Sequence, residues 1–306
     1  MKLASFIKHL DAWQPAMLRH FTTEDQYMRH LEDIRGQFAD LVQGPEDRID
    51  LVEAALLIAQ TAFPDLIGSQ YTERLDRWAD RLRSRLDASS SAGEILGNLN
   101  RIMFDEEGFQ GNQENYYDPQ NSFLNRVIER KLGIPITLSL VYSEVGRRAG
   151  LPVHGIALPG HFIVRLLHTS GTLYVDPFYG GEVLTENECC DRIEAGFGPE
   201  AAADGSWKVP AGKKMILKRM LRNLKGIYRQ LNQEQQFFEM LQWILAADPE
   251  AADELKERGL LYEAMGNNVS AVKDLQRYLE TAPAAADREM IEAKIKLMRS
   301  QKGWLH

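Results

Sequence analysis

The sequence VHGIALPGHFIVRLLHTSGTLYVD, residues 153–176, decides the fold. Residues 153–158, 161–167 and 172–176 are rich in β-branched and aromatic side chains, which strands favour. The turn sequence HTSG at 168–171 joins the last two runs. The stretch therefore predicts three antiparallel strands that follow one another as a meander.

A helix is predicted directly before these strands. Residues 136–149 place Leu138, Val141, Val145 and Ala149 on one apolar face. Pro135 fits the first turn of such a helix, and Gly150 followed by Pro152 fits its end. A helix followed by an antiparallel sheet indicates an α+β core.

The residues before this core predict a helical amino-terminal region, residues 1–95. Residues 50–59 are dense in helix formers, and 71–86 carry an apolar stripe at helical spacing, formed by Leu75, Trp78, Leu82 and Leu86. Small polar residues at 88–93 then break the pattern and indicate a linker. The following segment 112–118 is polar and aromatic, which is typical of a surface loop, although such a loop can also line a cleft.

The carboxy-terminal third contains an internal repeat. Pro249 recurs as Pro283, 34 residues later, and Leu221, Tyr228 and Leu245 each recur at the same offset. A helix–turn–helix period of this length is typical of tetratricopeptide repeats, with residues 287–299 as a closing helix. The alternative is two unrelated helical hairpins with coincidental spacing. The repeats could act as a docking surface or as a structural brace.

His161 and Asp176 are the strongest candidates for chemistry. If Leu167 pairs with Thr172 across the turn, then Ile163 pairs with Asp176. His161 then lies on the same face of the sheet as Asp176, with the two Cα atoms roughly 7–8 Å apart. A carboxylate on one imidazole nitrogen fixes the tautomer and leaves the other nitrogen free as a base. The alternative is a histidine that is hydrogen-bonded for structural reasons only.

A nucleophile beside His161 is harder to find. Residues 135–139, at the start of the predicted helix, contain no cysteine and offer only the hydroxyls of Thr137 and Ser139. Hydroxyls are weak nucleophiles without an aligned base, and hydrogen bonding within the first helical turn is the competing interpretation. Cys189 and Cys190 follow a helix start capped by Thr185, and a small buried apolar residue is the expected role for such a thiol.

Composition excludes several classes of protein. Lys and Arg number 36 against 44 Asp and Glu, a net charge of −8, which argues against a nucleic-acid-binding protein. The start MKLASFIKHLDAW is interrupted by charges, so neither a signal peptide nor a membrane span is expected. Adjacent cysteines rarely pair, and a reducing cytoplasm is expected. No cofactor and no metal ion is expected. A metal site formed by His161, Asp176 and His154 is a weaker alternative, because the two histidines lie on separate strands.

Four linked motifs carry a resemblance to a known family: LGIPITLS at 132–139, RAGL at 148–151, LPGHF at 158–162 and VDPF at 175–178. In this order they resemble the SirB family over roughly residues 40–300. The resemblance implies a transglutaminase-like (papain-like) α+β core followed by tetratricopeptide repeats. From this resemblance, together with the break in pattern after residue 88 and the start of the repeats, we expect three parts: a helical amino-terminal region 1–95, a core 96–212 and a repeat region 213–306.

In the wider transglutaminase-like superfamily, the resemblance assigns the catalytic His and Asp positions to His161 and Asp176. It implies a catalytic Cys near Pro135 or Ile136, where this chain has none. The leading hypothesis is therefore a non-catalytic binding or regulatory module with a protein or peptide partner. The alternative is a hydrolase or acyltransferase that uses Thr137 or Ser139 with His161 and Asp176.

Overall fold

A computed structural model describes residues 23–301 of the chain, without the side chains of Glu24 and Gln301. The amino-terminal stretch on which the expectation of no signal peptide depends lies outside these residues. The predicted α+β class is confirmed, because a mixed helix–sheet region precedes an all-helical carboxy-terminal part. No helix within residues 23–301 combines the length and the apolarity that a bilayer crossing requires.

The helices have the following bounds: α1 Glu24–Gln43, α2 Leu51–Gln60, α3 Gly68–Arg83, α4 Ala92–Asn100, α5 Leu124–Arg130, α6 Pro135–Arg148, α7 Glu186–Phe197, α8 Pro199–Ala203, α9 Lys213–Gln230, α10 Glu234–Ala247, α11 Ala252–Ala264, α12 Asn268–Thr281 and α13 Arg288–Gln301. The strands are β1 Gln110–Gly111, β2 Leu132–Gly133, β3 Val153–Leu158, β4 His161–His168, β5 Gly171–Asp176 and β6 Glu182–Leu184. Strand β1 pairs with β2 in parallel, and β3 to β6 form an antiparallel sheet in chain order.

The predicted register of the meander is confirmed. Leu167 pairs with Thr172, and Val164 pairs with Val175. Because side chains alternate between the faces of a strand, this register places His161 and Asp176 on the same face.

Two compact units divide the described residues. Residues 44–220 form one unit, and the residues up to Gln43 join those from Leu221 onward in the other. Helix α1 packs against α10, where the rings of Phe38 and Trp243 lie 4.8 Å apart. The division into three parts stays a prediction, because the two units are defined by packing contacts and not by the order of residues in the sequence.

In the unit of residues 44–220, helices cover both faces of the antiparallel sheet. Helix α6 approaches β3 closely at Gly146, where an added Cβ would lie 2.6 Å from Val153. On the other face, Ile156, Ile163 and Tyr174 pack in an apolar cluster that includes residues of α7. This arrangement holds the start of β4 and the end of β5 rigidly beside each other.

Helices α10 to α13 and the end of α9 form the second unit together with α1. Gly259 lets α11 and α12 approach, since an added Cβ would lie 2.8 Å from Leu275. Glu254 is 1% exposed and accepts hydrogen bonds from Arg222 and Lys225. Apolar packing therefore joins α11 to α12, and the ion pairs of the buried Glu254 tie α9 to α11.

Candidate functional site

The centre of the candidate site is a hydrogen-bonded pair on the sheet face that α7 covers. His161 opens β4, Asp176 ends β5, and His161 Nε2 lies 2.7 Å from Asp176 Oδ2. An ionised carboxylate only accepts hydrogen bonds, so Nε2 carries the proton and Nδ1 is left as the basic nitrogen. The His161 side chain is 23% exposed, whereas that of Asp176 is fully buried. The pair can therefore present a fixed imidazole to a ligand.

Asp176 is held by two further donors. The backbone N–H of Phe178 donates to Oδ1 at 3.1 Å, and Arg192 Nη1 donates to Oδ2 at 3.1 Å. Arg192 comes from α7 and also donates to Glu182 at 2.6 Å. Sequence reasoning missed Arg192, because nothing in its local pattern shows that α7 faces the end of β5.

Aromatic side chains lie near the imidazole, and two of them, Phe178 and Tyr179, are next to its ring. We call Tyr116, Tyr117, Phe178, Tyr179 and Phe197 the aromatic rim. The His161 ring lies 6.1 Å from that of Phe178 and 5.9 Å from that of Tyr179. Phe178 is buried, whereas the other four are between 37% and 62% exposed. An apolar or aromatic ligand can stack on such a surface.

A buried amide network holds the loop that carries Tyr116. The side chain of Asn121 donates to the carbonyl oxygens of Asn115 and Tyr116 at 2.8 and 3.2 Å. Asn112 donates to Asn121 Oδ1 at 3.0 Å, and the Tyr116 ring lies 6.0 Å from that of Phe178. The position of Tyr116 therefore fits the interpretation in which segment 112–118 lines a cleft.

The hydroxyls of Thr137 and Ser139 are fully buried and bound to the backbone. Thr137 Oγ1 lies 2.7 Å from the carbonyl oxygen of Asn121, to which it donates, and accepts from the N–H of Ile134. Ser139 Oγ donates to the carbonyl oxygen of Phe162 at 3.2 Å. Within residues 23–301, neither hydroxyl is hydrogen-bonded to His161. The structure therefore brings His161 and Asp176 together but does not join either hydroxyl to them.

Neither cysteine forms a disulfide. Cys189 is fully buried and packs among Ile156, Leu158 and Trp207 in the apolar cluster beneath the sheet. Burial raises the pKa of the Cys189 thiol to about 12. A thiol in these surroundings is a poor nucleophile, because the reactive species is the thiolate.

We expect a thiol reagent at pH 8 to modify Cys190 and to leave Cys189 intact in the folded chain. Cys190 is partly exposed, whereas Cys189 is inaccessible and protonated. Peptide mass spectrometry after brief iodoacetamide treatment measures the two sites separately, with denatured chain as the control in which both react. Equal labelling of both thiols in the folded chain would contradict this packing.

His154 does not join the candidate site as a metal ligand. It pairs with Arg165 across β3 and β4, and burial together with the Arg165 charge lowers the pKa of His154. Among the described residues, no three His, Cys, Asp or Glu side chains are grouped as a metal ion would require.

The unit that contains the repeats has a pocket of about 720 Å³. Leu245 and Leu255 form part of its apolar lining, and Lys273 and Arg277 lie at its exposed edge. Arg258 also lines it but is already bound to Asp274, at 2.7 and 2.9 Å. Lys273 has no ion pair or hydrogen bond with residues 23–301, so it can bind an acidic group of a ligand.

Comparisons with known proteins agree with both regions. The pattern of the transglutaminase-like superfamily matches residues 69–222, and a tetratricopeptide repeat pattern matches residues 224–296. The chain is 36% identical to a UPF0162 protein of Xylella fastidiosa strain Temecula1, over 82% of this chain and 90% of that protein. A UPF0162 protein of Vibrio cholerae is 26% identical over 81% of this chain and 92% of its own length. The chain is also 28% identical to F-box only protein 21 of Mus musculus, over 86% of this chain and 41% of that protein. The two domain types predicted from the sequence are therefore confirmed.

Proposed function

This chain belongs to the UPF0162 protein family of the transglutaminase-like superfamily, and on that premise we propose that it is a non-catalytic binding or regulatory module. Its repeats and the surface around His161 bind a protein or peptide partner. The four linked motifs support the narrower assignment to the SirB family. We further propose a cytoplasmic location and the functional division into residues 1–95, 96–212 and 213–306.

The observation that carries the proposal is the absence of a nucleophile hydrogen-bonded to His161 within residues 23–301. Acyl transfer requires an attacking group whose proton the imidazole can accept. Thr137 and Ser139 direct their hydroxyls at backbone carbonyls, and Cys189 lies in an apolar cluster. Among the described residues, the imidazole therefore has no hydrogen-bonded hydroxyl or thiol to activate, and its orientation suits it to bind a ligand group.

The short His161–Asp176 hydrogen bond favours one competing function, a hydrolase or acyltransferase. In that case Thr137 or Ser139 would have to leave its carbonyl partner and turn toward Nδ1. Either change breaks a buried hydrogen bond, with a cost of about 1–3 kcal/mol.

Assays on the full chain distinguish the two functions. We expect aryl esters, peptide anilides and an amine-incorporation substrate to react no faster with the wild-type chain than with His161→Ala. The matched control is His168→Ala, on the same strand. Turnover that is lost in His161→Ala and retained in His168→Ala would establish an enzyme and overturn the proposal.

The repeat pocket is tested with peptides selected by display on the full chain. We expect selected peptides to be acidic and partly apolar, and Lys273→Glu to weaken their binding about tenfold, since it reverses the unpaired charge at the pocket. Lys296→Glu, an exposed change on α13, serves as the control. Peptides whose affinity is the same for Lys273→Glu and wild type would exclude this pocket as the binding surface.

A further inference from the structure

Two members of the aromatic rim are exposed beside His161. The Tyr179 ring lies 5.9 Å from that of His161, and Tyr179 is 52% exposed. Phe197 is 56% exposed, and its ring lies against the turn before β4, where a Cβ added to Gly160 would be 2.7 Å from the Phe197 Cζ. Exposed aromatic side chains that are grouped in this way are typical of binding surfaces.

His161 offers an unused hydrogen-bond acceptor at this surface. Its Nε2 is bound to Asp176 Oδ2 at 2.7 Å, and within residues 23–301 its Nδ1 forms no hydrogen bond. Because Nε2 carries the proton in this pair, Nδ1 accepts and does not donate. A ligand group that binds the imidazole must therefore be a hydrogen-bond donor.

The chain segment that contributes Tyr179 and Phe197 is strongly acidic. Residues 176–204 contain eight Asp and Glu side chains but one Arg and no Lys, a net charge of −7 against −8 for the whole chain. Asp191, Glu194 and Glu200 are exposed and form no ion pair with residues 23–301. These three carboxylates therefore have no cation of the described chain to balance them.

The acidic side chains lie next to both exposed rings. Arg192 Cζ is 6.0 Å from the centre of the Tyr179 ring, and Arg192 donates to Glu182 at 2.6 Å. Glu194 lies three residues before Phe197 on α7, a helical spacing that puts the two Cβ atoms about 5–6 Å apart. Charge and aromatic surface therefore belong to the same side of this unit.

The charge decides which ligands this surface fits. Nucleic acids and anionic lipid head groups are repelled by it. An arginine side chain is attracted, because its guanidinium is always charged, lies flat on an aromatic ring and carries five N–H donors. Since the unpaired carboxylates extend from α7 onto α8, a segment with several basic side chains fits better than a single small cation.

We propose that the surface formed by His161, Tyr179 and Phe197 binds a basic segment of a partner protein that carries arginines next to apolar residues. A guanidinium of this segment lies on the Tyr179 ring, and Nδ1 of His161 accepts an N–H of the segment. Further basic side chains pair with Asp191 and Glu194, while an apolar side chain covers Phe197. The inference rests on the proposed binding function and specifies the partner of the transglutaminase-like region.

The probe is the peptide Arg-Phe-Arg-Leu-Arg with an amidated C-terminus and a fluorescein label. Its binding to the full chain is followed by fluorescence anisotropy at low salt, and we expect a Kd on the order of 100 μM. The same peptide with Glu in place of every Arg does not bind, and the peptide with Ser in place of Phe and Leu binds at least about fivefold more weakly. When benzoylphenylalanine replaces Phe, the photo-crosslinks, mapped by mass spectrometry, lie within residues 158–200.

Variants of the full chain test the two parts of the surface. The double variant Asp191→Lys with Glu194→Lys reverses two unpaired charges and weakens binding of the probe about tenfold or more. Glu53→Lys with Glu73→Lys makes the same change in charge at exposed positions of α2 and α3 and leaves the affinity within about twofold of wild type. Tyr179→Leu keeps an apolar side chain but removes the ring face, and weakens binding about threefold.

Several outcomes overturn the proposal. Equal binding of the acidic peptide does so, as do crosslinks that lie outside residues 158–200. Self-association of the chain that the double variant abolishes, measured by sedimentation velocity, would mean that a second copy occupies this surface. If the double variant does not fold, the peptide comparison and the crosslinks on the wild-type chain decide. If the basic probe does not bind but acidic peptides bind in a Lys273-dependent manner, this inference fails and the proposed binding function stands.

Discussion

Asp176→Ala lowers the free energy of unfolding by about 3–5 kcal/mol, because it removes the acceptor of a buried charged network. The carboxylate is fully buried and is bound to His161, to Arg192 and to the N–H of Phe178. Alanine leaves all three donors without this acceptor and creates a cavity at the end of β5. Equilibrium denaturation of the full chain, followed by circular dichroism, measures the loss.

Two variants test the cause. Asp191→Ala removes an exposed carboxylate from α7 and is expected to change stability by less than about 0.5 kcal/mol. Asp176→Asn keeps the size and one acceptor oxygen, so its cost is smaller, about 1–3 kcal/mol. An Asp176→Ala variant as stable as Asp191→Ala would mean that the network does not contribute to stability.

Glu254→Ala destabilises the unit that contains the repeats by about 3 kcal/mol at neutral pH. Burial acts to raise the pKa of Glu254, but the hydrogen bonds from Arg222 and Lys225 outweigh it and lower the pKa from its ordinary 4.5 to about 2. A lowered folded-state pKa means that the ionised carboxylate stabilises the fold. This contribution is complete above about pH 4.5 and disappears as the pH falls through about 2.

The difference in unfolding free energy between wild type and Glu254→Ala is therefore expected to shrink between pH 4.5 and 2. Glu257→Ala is the matched control, since it lies one turn further along α11 and shares Lys225 as a partner. The ion pairs of Glu257 are more exposed, so Glu257→Ala lowers the free energy of unfolding by at most about 1 kcal/mol. A difference for Glu254→Ala that stays constant across this pH range would contradict the assigned cause.

The sequence predicted three of the four strands of the antiparallel sheet and missed β6. The three were predictable because the information that determines them is local. Turn residues 168–171 and the alternating pattern on each side determine which residues of β4 and β5 face each other. The predicted bounds of β3, residues 153–158, agree with the structure. The contact between His161 and Asp176 follows from that register, so the amino-acid sequence was enough to predict it.

Contacts between distant elements could not be predicted in this way. Arg192 reaches Asp176 because α7 packs against the sheet, and no periodicity in the sequence encodes that contact. The Thr137 hydroxyl binds the carbonyl of Asn121, in a loop whose path was not predicted. The sequence grouped α1 with the helices that follow it, although its apolar face packs on α10.

The packing of α1 against α10 has a consequence for synthesis on the ribosome. Arg35 and its partner Glu239, which lie 2.8 Å apart, are separated by 204 residues in the chain. At about 5–20 residues per second, translation leaves α1 without its partner helix for roughly 10–40 s. During that interval its apolar side, including Phe38, is available to chaperones and to other nascent chains. In a shortened chain that starts at residue 221, α10 would lack its partner α1, and Trp243 would lose its contact with the Phe38 ring.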